Sequence, residues 1–139
     1  MKLLFLACSL SVLTACATAP DLPDEPLQDR YWRAIEIDGK ALPATAGRAE
    51  AHVVLGANQR AHGSDGCNRF HGSYDLSNGL RFGQLATTMM ACPPPVDQLA
   101  RSFAQALGAT ASYRIRGKEM QLLDQDGKPR LRLEATFLK

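Results

Sequence analysis

The chain has 139 residues, and its 16 Lys and Arg nearly balance its 14 Asp and Glu, leaving a formal net charge of +2. Its basic residues are scattered rather than clustered, which excludes an electrostatic claim on nucleic acid. With four cysteines and 45% hydrophobic residues, it reads as one ordinary domain, able to bury roughly 65% of its unfolded surface without a metal or a dense disulfide framework.

The first element is an address. Met1-Lys2 is positive, Leu3 to Val12 is almost wholly apolar, and Leu13-Thr14-Ala15-Cys16 closes the run with small residues before a cysteine. That arrangement resembles the lipobox of a bacterial lipoprotein signal peptide. The apolar run is about half of the ~20 residues a membrane-spanning helix needs. Residues 1–15 therefore read as a removable signal and Cys16 as the lipidated N-terminus; Cys8 leaves with the signal. A competing cleavage after Ala17-Thr18-Ala19 is opposed by Pro20, whose nitrogen carries no hydrogen and whose φ is fixed. Ala17 rather than aspartate follows Cys16, which resembles an outer-membrane address. The expectation is an outer-membrane, lipid-anchored protein whose domain faces the periplasm. Residues 16–29 hold three prolines and four acids and read as a semi-extended tether, with the domain spanning 30–139.

Short alternating runs follow. Trp32–Ile37 forms a strand stopped by Asp38-Gly39, and Ala51, Val53 and Leu55 mark a second strand face that turns at Gly56-Ala57-Asn58. Asn78-Gly79 separates Phe70–Leu76 from Leu80–Phe82, as a tight hairpin turn would. Val96, Leu99, Phe103 and Leu107 then recur at helical spacing between Pro93-Pro94-Pro95 and Gly108, predicting one amphipathic helix with Asp97 in its first turn and Gly108 as its stop. Alternation resumes in Ala111, Tyr113 and Ile115, in Met120 and Leu122 after Gly117, and in Leu131, Leu133, Ala135 and Phe137 after the Asp126-Gly127 turn. The fold class is mainly β: an antiparallel sheet of about seven or eight strands curled into a barrel or half-barrel, its one helix covering the sheet or plugging an open end.

Two separated strings stand out. Gly63-Ser64-Asp65-Gly66-Cys67-Asn68-Arg69-Phe70-His71-Gly72-Ser73-Tyr74 is the first and Thr88-Met89-Met90-Ala91-Cys92-Pro93 the second. They resemble the G-x-x-G-C-N-x-F-x-G-x-Y and T-x-M-A-C-P segments of the META domain, the HslJ-like family. Trp32–Gly39 resembles its opening stretch, with Ala34 replacing the usual leucine, and Met89 stands where a basic residue is common. The resemblance implies a small antiparallel β domain with one helix, often carried by envelope lipoproteins. It brings no established enzymatic activity; envelope stress and pilotin-like peptide binding are its associations, and such analogies fix no chemistry.

The motif residues carry physical meaning of their own. Gly66 and Gly72 bracket Cys67–Phe70 and permit positive φ or close backbone approach. Asn68 is suited to hold an adjacent turn by local backbone bonds. Phe70 and Tyr74 share a strand face, with Gly72 leaving room between them for a ring from elsewhere. Cys67 and Cys92 are the even pair left beyond the anchor, read first as one disulfide in an oxidising periplasm.

Sharper chemistry is weighed against each. Cys67 with His71 suggests a thiol nucleophile, but on an extended strand four residues span about 13 Å, too far for a hydrogen bond. His52, His62 and His71 lack C-x-x-C or H-x-x-x-H spacing, so they read as surface histidines and no metal is expected. Asp124 and Asp126 flank a turn without the further oxygen ligands calcium needs. Met89, Met90 and Met120 suit either core or an apolar groove. The expectation is a non-catalytic envelope factor without a cofactor. Its partners are the membrane, through its lipid, and an envelope protein or hydrophobic ligand; the rivals are a carrier or pilotin-like binder and a thiol or histidine enzyme.

Overall fold

The structure is a computed structural model and describes residues 22–43 and 50–137. The signal segment, Cys16 and the start of the expected tether lie outside the described residues.

Ten strands and one helix follow in the order β1 (Tyr31–Ile37), β2 (Lys40–Ala41), β3 (His52–Leu55), β4 (Arg60–Ser64), β5 (Arg69–Asp75), β6 (Arg81–Phe82), β7 (Ala86–Thr87), α1 (Val96–Ala109), β8 (Ser112–Arg116), β9 (Glu119–Leu123) and β10 (Pro129–Thr136). Three of these strands, β2, β6 and β7, are two-residue pieces, so seven substantial strands carry the sheet. All pair antiparallel, in the order β6-β5-β4-β3-β1-β10-β9-β8, with β2 beside β1 and β7 beside β5.

Of the expected barrel or half-barrel, the closed form is not reached: the sheet stays open, with β6 and β8 as its ends. The ends touch at one point, where Leu80 N–H donates to Ala111 O at 3.1 Å. Gly79, at φ +87°, makes this approach possible, since a Cβ there would lie 2.1 Å from Ala111 O. Gly83 N–H donates to Ser73 O at 2.9 Å, carrying the β5–β6 pairing one residue beyond Tyr74 and Phe82.

Alternation places the core as expected along most strands. Trp32, Val53, Leu55, Met120, Leu122, Leu131 and Leu133 are fully buried on one face, while Arg33, Glu36, Glu119, Arg132 and Glu134 pair across the other. Two expected inward residues fall outside it. Phe137, beyond the end of β10, is 73% exposed, and Tyr113 is exposed on β8, which as the last strand has one neighbour and lies beyond the sheet area where α1 packs.

The helix runs Val96–Ala109 and buries Ala100, Phe103, Ala106 and Leu107. Its buried stripe is thus rotated from the expected Val96-Leu99-Phe103-Leu107 line, leaving Leu99 at the flank. Small Ala100 and Ala106 let the helix axis approach the sheet, which a stripe of large residues would prevent. Gly108 does not stop the helix. Thr110 does, donating its N–H to Leu107 O at 3.1 Å and its hydroxyl to Ala106 O at 2.9 Å.

Residues 24–30 of the N-terminal stretch lie against the domain. Gly117 N–H donates to Asp24 Oδ1 at 2.7 Å, Glu25 N–H to Gly117 O at 2.8 Å, and the Trp32 indole to Leu27 O at 2.9 Å.

Candidate functional site

The two motif strings meet where the β4–β5 hairpin faces the segment leading into α1. The hairpin is built around Asp65, which is nearly buried. Its Oδ1 accepts from the N–H of Cys67 at 2.8 Å and of Asn68 at 2.6 Å, and its own N–H donates to Asn68 O at 2.9 Å. Ser64 Oγ accepts from Gly66 N–H at 3.1 Å, and Gly66 takes φ +96°, a conformation glycine reaches without Cβ strain. Local bonding of the turn is therefore the work of Asp65, not of Asn68.

Asn68 acts at long range instead. Its Oδ1 accepts from Met90 N–H at 2.6 Å and from the Thr88 hydroxyl at 2.9 Å, while its amide donates to Met90 O at 3.3 Å. Thr88 completes the clamp: its Oγ1 accepts from Arg69 N–H at 3.1 Å and its N–H donates to Arg69 O at 3.0 Å. Beside these bonds Cys67 and Cys92 form a disulfide, with Cα atoms 6.0 Å apart. In a cystine the Cys67 sulfur carries no thiolate to act as nucleophile.

The other motif residues shape the core beneath. A Cβ on Gly63 would lie 2.1 Å from His52 O, and one on Gly72 would lie 2.7 Å from both Gln84 O and a Leu85 methyl. The space over Gly72 is thus filled by the Gln84-Leu85 chain rather than by a ring. Phe70 packs 6.1 Å, centroid to centroid, from Phe103 of α1. Tyr74 buries its ring and donates its hydroxyl to Gly56 O at 2.6 Å while accepting from Gln28 Nε2 at 2.7 Å.

Two depressions flank this cluster along α1. One, of about 250 Å³, is mainly apolar and lined by Phe70, Phe82, Leu85, Phe103 and Leu107. The other, of about 410 Å³, is bounded by the disulfide, Met90, Asp97 and Arg101. Asp97 Oδ2 pairs with Arg101 at 2.8 Å, and its Oδ1 has no partner among the described residues. Met89 and Met90 stand exposed on the rim, whereas Met120 is core.

The remaining candidates lie elsewhere. Asp124 Oδ1 accepts from Asp126 N–H at 3.0 Å and Lys128 N–H at 2.9 Å, which makes that loop a hairpin turn. His52, His62 and His71 all sit on the outer sheet face; His62 and His71 are exposed and His52 is half-buried. The His52 ring stacks on Tyr31 at 4.2 Å. Burial, with His62 nearby, lowers the His52 pKa below its ordinary value, opposed by its bond to Glu50 O. Burial and the hydrogen bond to Glu50 raise that of Tyr31. Among the described residues no three imidazole, thiol or carboxylate donors converge on a metal position, and no helix is long and apolar enough to cross a membrane.

A sequence model of the META domain matches residues 25–137. An NMR structure of a protein from Burkholderia xenovorans is similar, with 29% identity and a TM-score of 0.64 over 94% of this chain and all of that one. A second protein solved by NMR is 26% identical, with a TM-score of 0.62 over 78% of this chain and 90% of its own. No curated protein matches.

Proposed function

This chain belongs to the META domain family, and from that premise we propose that it is a non-catalytic envelope lipoprotein, anchored in the outer membrane through Cys16 and acting as a structural or envelope-stress factor. One observation carries the reading: the polar groups of the shared motif are spent on its own scaffold. Asp65 and Asn68 bind backbone amides, Thr88 joins them, and both cysteines are in the bridge. An enzyme needs a nucleophile or base with its reactive atom directed at substrate. Asp97, with its unpartnered oxygen beside the larger depression, is the strongest residue for a catalytic rival.

Complementation of a deletion strain's envelope phenotype tests the reading. Cys16→Ala should lose its acyl chains and its place in the outer-membrane fraction and fail to complement, while Asp97→Asn should complement fully at equal protein level. A null phenotype from abundant, folded Asp97→Asn protein would overturn the non-catalytic reading, and full activity of Cys16→Ala would overturn the role of the anchor.

The apolar depression beneath α1 favours one second reading, a carrier or pilotin-like binder of an acyl chain or peptide. Its volume of about 250 Å³ lies just under the range of roughly 300–1,000 Å³ common for ligand pockets. Ala104 of α1 also lines this depression, and Ala104→Trp would obstruct it; unchanged complementation by that variant would remove the carrier reading.

A further inference from the structure

The spacing of the histidines along the chain conceals their spacing across the sheet. The β4–β5 register places His62 directly opposite His71, and both are exposed on the outer face. The bonding phase of this ladder fixes how close they come. Tyr74 N–H donates to Gln59 O at 3.1 Å and Asp65 N–H to Asn68 O at 2.9 Å. Each of these hydrogen-bonded pairs is three residues from the His62/His71 pair. Antiparallel pairs alternate between hydrogen-bonded and non-hydrogen-bonded, so an odd offset puts the histidines at a non-hydrogen-bonded pair. There the Cα atoms approach to about 4.5 Å and the side chains lie closest together.

Two imidazole nitrogens bound to one metal at about 2.0–2.1 Å each lie roughly 3 Å apart. Facing rings on a non-hydrogen-bonded pair can meet that spacing by χ rotation alone, and exposed side chains are free to make it. Exposed Arg60 and Arg69 flank the pair two residues away on the same face, so the metal is held by the two imidazole bonds rather than by attraction to local charge. His52, diagonal to His62 through the β3–β4 pairing of Val54 with His62, bonds through Nδ1 to Glu50 O at 3.0 Å. A carbonyl oxygen only accepts, so Nδ1 carries a proton in this bond and is not free to bind metal.

We propose that His62 and His71 form a two-imidazole surface site for a divalent late transition metal, with water in the remaining coordination positions. Imidazole donors without thiolate favour Cu²⁺, Ni²⁺ and Zn²⁺, and among these Cu²⁺ binds most tightly. The site lies on the face of the sheet opposite the core and α1 and is independent of the anchor; His71 stands on the outward face of the first motif string. His52 is a neighbour, not a ligand, since no third donor converges among the described residues.

The test is titration of Cu²⁺ alone into the full-length, untagged protein in detergent, read by calorimetry and by electron paramagnetic resonance. One equivalent of copper should bind with two imidazole nitrogens in its equatorial plane. Because chelation makes the second nitrogen's binding intramolecular, His62→Ala and His71→Ala should each weaken binding by about 10²-fold, with His52→Ala within about threefold of wild type. Unchanged affinity in either single variant, or a spectrum with one nitrogen, would overturn the site. Circular dichroism of each variant confirms the fold, and paramagnetic broadening centred on the His62 and His71 ring signals and falling with distance from them gives a second readout on the unmutated protein. Broadening spread evenly over the surface would also overturn it.

Discussion

Replacing both bridge cysteines, Cys67→Ser with Cys92→Ser, tests how the motif cluster is held. The bridge spans 25 residues, for which the chain-entropy estimate gives about 3.5 kcal/mol of stabilisation. At this domain size that corresponds to a fall in Tm of about 10–20 °C. The variant should still fold at room temperature, because a loss of this size is less than the total stability of most domains, roughly 5–15 kcal/mol. Its two segments also remain tied by three hydrogen bonds from Asn68. Urea denaturation followed by fluorescence suits the measurement, since Trp32 is the one tryptophan and is fully buried. The cross-link acts on the unfolded chain and Asn68 on the folded one. Asn68→Ala in the same assay should cost about 0.5–1.5 kcal/mol, because the bonds it loses are exposed and water replaces them. A double-cysteine variant as stable as wild type would refute the bridge's role.

Asp65→Ala removes the acceptor of two backbone amides and should lower stability by about 2–3 kcal/mol in the same urea assay. Gly63→Ala sets a Cβ against the His52 carbonyl and should cost about 3 kcal/mol or more, because backbone must move on both strands. Phe103→Ala, emptying the contact between α1 and Phe70, should cost about 3–5 kcal/mol. Stability should also fall with pH through His52, whose pKa burial lowers. The unfolded chain takes up this proton near pH 6.5 while the native chain resists it, so the contribution is complete above about 6.5 and is lost as pH falls toward the lower native value. The slope cannot exceed about 1.4 kcal/mol per pH unit; a His52→Gln variant with the same acid profile as wild type would refute this assignment.

Local signals in the sequence determined the helix, most of the strands and their order, but not β4 or the two-residue β2 and β7. Period-two runs such as Leu131 and Leu133 must bury one face, the asparagine and aspartate turns with glycine reverse the chain, and the proline run followed by 3.6-period apolar residues leaves one place for a helix. The bridge was legible too, from an even cysteine pair. Tertiary structure decided what depends on residues distant in sequence. Ala100 and Ala106 won the buried face of α1 over Leu99 because the sheet, not the helix alone, sets how closely the axis can approach. Asp65 took the turn-holding role expected of Asn68, because an asparagine side chain facing Met90 and Thr88 satisfies more groups there than in its own turn. The open sheet shows only in the strand pairing, where β6 and β8 end the order and meet through Leu80 and Ala111, a contact no local pattern announces. His62 and His71 are nine positions apart in the chain and directly opposed in the sheet, because hairpin register, unlike spacing along a strand, is set by the turn between them.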